Sequence, residues 1–563
     1  MSGPSAALAG AVARLASTTP VTPLPASTGP AQNGGAGATG SLPPLKLPHI
    51  EYHLILPYLI LTGSALALLV VASVVRPVWR RGLYAGWTAV TGVAAMVWTW
   101  HLWGQVVGHG PPPHPGPTSA INGALVVDGF SLFIAITVCS ALVLAALLAS
   151  QYLPQERLDG PEFYVLAMIS ASGAWLMGSA NDLIVVFLGL EILSLPLYIL
   201  AAFHRGRVRS GEAGMKYFIL GSFSSAFFLY GVALVYGAVG TTSLAGIAAF
   251  LSSHVLPSNG VLLAGLALLL IGLGFKVAAV PFQWWTPDVY QGAPTPSVAF
   301  MAAVAKTAGF AALLRIFLGA FPTQAESWRP LIWVIAVLTM VVGSVVALVQ
   351  DDVKRILAYS SISHAGFIFL GLQAATSTGP VTSNGLAGSS LYLLTYTFMI
   401  VGSFAVVTVV SGRGDGRHRL SDYRGLAAER PVLALAFTVL LLSQAGIPFT
   451  TGFIAKFDVI SPVVSHGGAS DYVLAVIAML AAAVSVYFYL RITLAMYQGG
   501  PGSDHEVAAG SGNGSGTLVA ARTTLRVPVG AGIVIAGCTA FTIVFGIYPA
   551  PIVHFAERAT LLF

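Results

Sequence analysis

What most constrains this chain is a succession of apolar segments, each about 20 residues long, running from Tyr52 almost to the C-terminus. A helix rises 1.5 Å per residue, so a segment of roughly that length crosses a hydrocarbon core about 30 Å thick. Inside hydrocarbon, a helix satisfies its own backbone hydrogen bonds. The composition agrees: 56% of the 563 residues are hydrophobic and 8% are charged, with a mean hydropathy of +0.83. A soluble domain carries about a quarter charged residues. The expected fold is an all-α polytopic membrane protein, one large bundle rather than several soluble domains.

Fourteen spans are expected, with edges near 53–75, 83–104, 122–150, 162–180, 182–203, 212–236, 261–286, 296–318, 328–350, 353–376, 387–411, 431–464, 471–497 and 526–549. Residues 1–50, rich in Ala, Pro, Thr, Ser and Gly, read as a disordered tail. A signal peptide is the weaker reading, since the stretch from Ala6 to Ala16 is short and interrupted by Arg14. Residues 498–525, with Gly and Ser alternating around Gly510–Gly516, read as a flexible linker before the last span, 526–549.

The formal charge of +6 raises the question of a nucleic-acid partner, and its distribution answers it. Arg76, Arg80 and Arg81 follow span 1, Arg157 follows span 3, and Arg205, Arg207 and Arg209 follow span 5. Lys354 and Arg355 lie in the turn between spans 9 and 10. Arg413, Arg417, Arg419, Arg424 and Arg430 follow span 11, and Arg522 and Arg526 follow span 13. Each follows an odd-numbered span, and Arg329 is the exception on the other side. Such alternation is the signature of membrane topology: odd-numbered turns cytoplasmic, both termini outside. No nucleic-acid partner is expected.

Charge is rare, so its location inside the spans is informative. Of six lysines, Lys46 lies in the tail and Lys354 in a turn, while Lys216, Lys276, Lys306 and Lys456 fall inside spans. Glu191 is the carboxylate near mid-span, and His364 sits in the polar run Tyr359, Ser360, Ser361, Ile362, Ser363. A buried ionisable group costs about 2.5–3.5 kcal/mol at the bilayer centre on insertion scales. Several are tolerable only where they face one another or water. Lys216, near the start of span 6, can snorkel to the interface. Lys276, Lys306, His364 and Glu191 fall near half depth on different helices, so together they can form a path along the membrane plane. The serines and Tyr359 of span 10 either order water on that path or make ordinary interhelical hydrogen bonds. Asp128, Asp182 and Asp288, near span ends, read as solvated loop carboxylates. Asp458 follows Lys456 by two residues and points to a different helix face.

Spans 7 and 12 place Gly and Pro beside a lysine, in Gly274-Phe275-Lys276-Val277-Ala278-Ala279-Val280-Pro281-Phe282 and in Gly446-Ile447-Pro448-Phe449-Thr450-Thr451-Gly452-Phe453-Ile454-Ala455-Lys456-Phe457. Proline removes a backbone donor and clashes with the turn before it, so both helices should break there. Broken backbone survives in a membrane only in a protein interior or beside a hydrated cavity. Two breaks about five spans apart suggest two five-helix repeats, 162–318 and 328–497, after N-terminal helices at 53–150. An odd number of crossings per repeat inverts the second relative to the first.

The two cysteines, Cys139 and Cys538, lie in apolar stretches without partners at metal or redox spacing, and no dinucleotide fingerprint, P-loop or iron–sulfur cysteine cluster is present. No cofactor is expected on this chain, and any linked redox chemistry belongs to another.

With these residues in view, the chain resembles the antiporter-like subunits of respiratory complex I and of multi-subunit cation/proton antiporters, most closely those of the subunit N type in bacterial NADH-quinone oxidoreductase. The resemblance is carried by Phe187-Leu188-Gly189-Leu190-Glu191-Ile192-Leu193-Ser194-Leu195-Pro196-Leu197-Tyr198, by Lys216-Tyr217-Phe218, and by the span 12 block. It is also carried by Val280-Pro281-Phe282-Gln283-Trp284-Trp285-Thr286-Pro287-Asp288-Val289-Tyr290-Gln291-Gly292-Ala293-Pro294 and by Lys354-Arg355-Ile356-Leu357-Ala358-Tyr359-Ser360-Ser361. It extends over about residues 53–550. The chain departs from the family at Gln283, where His is common, and in its long N-terminal tail.

The resemblance implies that Glu191 pairs with Lys276, that Lys306 and His364 lie on the connecting path, and that Lys456 faces the exit half, with Lys216 nearby. It implies a proton-translocating subunit of an NADH:quinone oxidoreductase in a prokaryotic plasma membrane, beside other membrane and peripheral subunits, including neighbouring antiporter-like ones. NADH, FMN, iron–sulfur clusters and quinone would belong to those partners. Two other readings compete. A subunit of a sodium/proton antiporter would share the lysines and the broken helices. A structural scaffold would gain nothing from the insertion cost of four lysines.

Overall fold

The computed structural model describes residues 50–74, 80–107, 116–254, 259–375, 383–465, 467–499 and 525–561. The expected tail, nearly all of the linker, and Arg76 and Arg522 lie outside the described residues. In chain order the first part comprises α1 (Leu56–Val74), α2 (Arg80–Val106), a hairpin of β1 (Thr118–Ala120) and β2 (Leu125–Val127), and α3 (Gly129–Gln155). Next come α4 (Glu162–Ser179), α5 (Leu183–Ala201), α6 (Val208–Val239), the short α7 (Leu244–Ser253), α8 (Gly260–Lys276) and α9 (Trp285–Gly292). Then follow α10 (Thr295–Leu314), which widens into a π-type turn at Arg315–Ala320, α11 (Ala325–Leu348), α12 (Val353–Ala374) and α13 (Ser383–Ser411). The chain continues through α14 (Leu426–Glu429), α15 (Pro431–Ala445), α16 (Thr451–Ser465), α17 (Ala469–Tyr497), α18 (Val529–Ile547) and α19 (Ala550–Glu557).

Ten of the described helices are long and apolar enough to cross a membrane. With α2, α4 and two interrupted crossings, α8/α9 and α15/α16, they account for the fourteen expected spans. One edge needs correction: residues 122–128, assigned to span 3, belong to the hairpin and its exit. Helix α3 starts at Gly129 because Asp128 caps it, its side chain accepting from Ser131 N at 2.8 Å.

The bundle is layered around a central axis. Helix α10 is buried along its whole crossing, and α12 and α13 nearly so. Around them, α1, α6, α11, α17 and α18 leave apolar side chains such as Leu66, Val70, Phe223, Val345, Leu480 and Ile547 exposed. In water such a surface would aggregate; against lipid or neighbouring membrane subunits it is at rest.

Both expected breaks are present. Between α8 and α9 the chain is non-helical from 277 to 284 and holds Ala278 at φ 61°, while between α15 and α16 Phe449 sits at φ 66°. A non-glycine residue in this region costs about 1–3 kcal/mol and persists only where its surroundings fix it. Side chains bond several backbone groups at the two breaks. Thr339 Oγ1 accepts from Val280 N at 3.0 Å, and the Trp285 indole donates to Phe275 O at 3.0 Å. At the second break Ser443 Oγ accepts from Gly452 N at 3.1 Å, and Gly446 at φ 91° closes α15 as only glycine does without strain.

Candidate functional site

Lys276 is the last residue of α8, at the negative end of the half-helix dipole. Its ammonium is 3% exposed and donates to Ser194 Oγ at 2.7 Å, with the rings of Tyr217 and Tyr198 at 5.7 and 5.9 Å. The hydrogen bond of Lys276 goes to Ser194 and not to Glu191. Glu191 lies one turn before Ser194 on α5, half-buried, and its Oε1 is enclosed without a hydrogen-bond partner. The Ser194 hydroxyl in turn donates to Leu190 O. A serine hydroxyl therefore occupies the lysine's hydrogen-bonding position, with a carboxylate waiting one helical turn away.

Helix α10 carries the path inward. Gly309 lets Lys276 approach, since a Cβ there would stand 2.6 Å from Val277 Cγ1 and 3.4 Å from Lys276 Cγ. One turn earlier on α10, buried Lys306 donates to Ser361 O and lies 5.1 Å from the Tyr396 ring. The Tyr396 hydroxyl donates to Ser361 Oγ at 2.7 Å. His364, one turn along α12, has Nδ1 2.6 Å from the Tyr392 hydroxyl and Nε2 3.2 Å from that of Tyr489, which also meets Ser360 Oγ. Ser363 Oγ lies 2.9 Å from Ser344 Oγ. The serines of α12 are thus tied to side chains on α11, α13 and α17.

Lys456 lies beyond the second break, on α16. Its ammonium donates to Ala445 O, the carbonyl freed at the end of α15, at 2.7 Å, and sits 4.8 Å from the ring of Phe367, one turn beyond His364. Lys276, Lys306, His364 and Lys456 are each 3–6% exposed and follow one another across the bundle through side chains of α10 and α12. Lys216 stands apart. It is 43% exposed near the start of α6 and is paired with Glu212 at 2.8 Å and Asp288 at 2.9 Å. Gln283 is buried, with Oε1 unpartnered.

Three sequence readings are corrected here. Asp288 is not simply solvated, since it also holds Arg355 at 2.8 Å. Asp128 is fully buried and forms a two-pronged pair with Arg315 at 2.8 and 3.0 Å. Lys354 is not a turn residue but is fully buried in the first turn of α12, donating to Ala293 O at 2.8 Å. Ser194, Tyr392, Tyr396 and Tyr489 are site residues that the sequence reading missed. Ser194 could have been found from its spacing, three residues after Glu191 on one helix face. The tyrosines carry no signal that separates them from ordinary core aromatics.

The family model described as NADH:quinone oxidoreductase/Mrp antiporter, TM, matches residues 180–494. The NADH-quinone oxidoreductase subunit N of Trichlorobacter lovleyi is 44% identical over 450 residues, 80% of this chain and 88% of the relative. That of Mycobacterium tuberculosis is 37% identical over 565 residues, 92% of this chain and 99% of the relative. A chain of respiratory complex I from Thermus thermophilus with bound aureothin superposes with a TM-score of 0.69 at 32% identity, over 88% of this chain and 98% of its own. A chain of the Mrp complex from a Dietzia species reaches 0.72 at 21% identity, over 91% and 97%, a likeness of fold alone.

Proposed function

The chain belongs to the NADH:quinone oxidoreductase/Mrp antiporter membrane-subunit family, and from that premise we propose that it carries protons through its row of buried lysines. It is a multi-pass membrane subunit of a proton-translocating NADH:quinone oxidoreductase, as its subunit N relatives are named. We place it in a prokaryotic plasma membrane with both termini outside, among neighbouring antiporter-like and peripheral subunits. NADH, FMN, the iron–sulfur clusters and quinone are assigned to those partners.

The single observation that supports the mechanism is the enclosure of Lys276, Lys306, His364 and Lys456 on helices that reach one another across the bundle. Desolvation disfavours a charged lysine, and a nearby carboxylate favours it. In one state Glu191 faces Lys276 and keeps it protonated. When a charge change in a neighbouring subunit draws Glu191 away, Lys276 keeps only the Ser194 hydroxyl and gives its proton up toward Lys306. His364, held between two tyrosine hydroxyls, hands the proton on toward Lys456, with water bridging the gaps at the breaks, and release is to the outside. Residues 162–318 and 328–497 then act as two half-channels.

The test is NADH-driven proton pumping by the assembled complex. Lys276→Ala and Glu191→Ala should each depress it, and unchanged pumping with normal assembly in both would remove the mechanism. The antiporter reading shares the fold, but the identity to the Mrp chain is lower than to the complex I chain. Sodium-dependent transport without NADH would favour it.

A further inference from the structure

On the side of the bundle that carries the basic turns, a polar pocket of about 1010 Å³ opens between the α9, α12 and α17 ends and the segment 412–425. Arg207, Gln291, His418, Ser421 and Arg491 are among its walls, and Asp415 lies at its floor. The floor is a buried cluster that nothing in the lysine row uses. Asp415 accepts from Thr295 Oγ1 at 2.7 Å and from the Tyr152 hydroxyl at 3.2 Å, with Lys354 Nζ at 3.5 Å and Arg207 at 3.6 Å. His418 Nε2 lies 2.6 Å from Asp415 O and 3.4 Å from its carboxylate, and Nδ1 lies 3.1 Å from Ser411 Oγ.

From this floor the second half of the broken helix leads inward. Gln291 and Gly292 of α9 line the pocket, and Lys354 caps the α9 end through Ala293 O. One turn back on the same helix, the buried hydroxyl of Tyr290 lies beside Ser361. Ser361 is the residue that Lys306 and Tyr396 both bond. Polar groups therefore run from an open pocket to the centre of the lysine row, along a helix that exists because the crossing is broken.

We infer that this pocket is the mouth through which protons are taken up, with Asp415 and His418 as the loading pair and Tyr290 as the relay to Ser361 and Lys306. The inference rests on the proton-carrying reading above. His418 takes a proton from pocket water. Ordered water passes it to Tyr290, whose hydroxyl accepts one proton and gives one to the Ser361 hydroxyl; that hydroxyl does the same to a water, which delivers the proton to Lys306, held at the backbone carbonyl of Ser361. No group on the route ends with a changed composition. The surroundings of the pair suit this. Burial pushes the Asp415 carboxyl up, but the charges of Lys354 and His418, the Thr295 hydrogen bond and Arg207 outweigh it and leave it at about 2. Burial and Lys354 hold His418 below the usual histidine range, so it does not trap the proton it receives. The other titratable groups facing the pair are Asp352, Glu156, Tyr152 and Tyr423.

The experiment uses the whole complex in membrane vesicles with the NADH-reactive side outward. In the Ser421→Cys complex, a bulky, membrane-impermeant methanethiosulfonate is added from outside, and pumping is compared with the unlabelled half of the sample and with an identically treated parent complex. Labelling should slow proton uptake at least ~10-fold, the scale of a lost proton-transfer group. Tyr290→Phe, which keeps the packing, should slow it without label. Lowering the external pH should restore part of the rate in the labelled complex, because supply is first order in protons; a merely structural defect would not respond. Parent-level pumping in both the labelled complex and Tyr290→Phe, while Lys276→Ala abolishes pumping in the same vesicles, overturns the intake route and leaves the lysine row standing. If Lys276→Ala also pumps normally, the lysine row falls and the intake route falls with it.

Discussion

The two broken crossings look alike in outline and differ in how each holds its lysine. In α8/α9 the lysine precedes the break, and its ammonium meets a hydroxyl on α5, a helix that also carries Glu191. Phe275 O, one residue before that lysine, accepts from both Ala278 N and the Trp285 indole. In α15/α16 the lysine follows the break and binds the freed carbonyl of Ala445 itself, with the Phe367 ring 4.8 Å away. A carbonyl cannot change its charge, whereas a carboxylate one turn away can move or be protonated. On the proposed mechanism, the first break receives the signal from outside the chain and the second responds to the field that arrives along the row.

That contrast can be broken by removing carboxylates. Glu191→Gln should lower NADH-driven pumping at least ~10-fold, the range of a lost acid–base group. Asp458→Asn, the acid nearest the second break in sequence, should change it less than about twofold, as expected of a side chain outside the transfer path. Equal effects of the two would erase the distinction between the breaks. Next in size is Gly446→Ala. It forces an alanine to φ 91° with its Cβ 2.8 Å from Lys456 Cδ, and it should destabilise the second break by about 1–3 kcal/mol in thermal unfolding of the purified complex. Gly309→Ala tests the approach to Lys276. Its methyl would overpack Val277 at 2.6 Å, costing about 1–3 kcal/mol, and pumping should fall more than assembly does. Smallest in net effect is Ser194→Ala, because Lys276 offsets the loss by turning to Glu191. Removing one hydrogen bond to a charged group is worth about 1.5–3 kcal/mol before Lys276 turns to Glu191 instead. Infrared difference spectra of the carboxylate should then report the new pair, and an unchanged Glu191 band would mean that the hydroxyl does not hold the lysine back.

The spans, the two breaks and the buried lysines were legible because each breaks a strong rule: apolar length, Gly–Pro beside charge, and ionisable groups where insertion is costly. The partners were not legible, because hydrogen bonding between helices depends on rotation about each helix axis, which one sequence does not fix. Ser194 and Tyr392 illustrate this. Arg315 carries no such signal, because it lies at a span end, where a basic side chain usually snorkels. Instead it reaches inward to Asp128, bonds Gly178 O at 2.8 Å and packs over the Phe130 ring. Lys354 was misread for the opposite reason, since a charge in a short turn looks solvated until the neighbouring α9 end covers it.

Lys306 offers the most direct measurement, because it lies between the two breaks and bonds Ser361 O on α12. Replaced by methionine, which keeps the volume and removes the proton site, it should leave a complex that assembles and transfers no protons through this subunit in sealed vesicles. Undiminished proton uptake per NADH oxidised by the Lys306→Met complex would contradict the account at its centre.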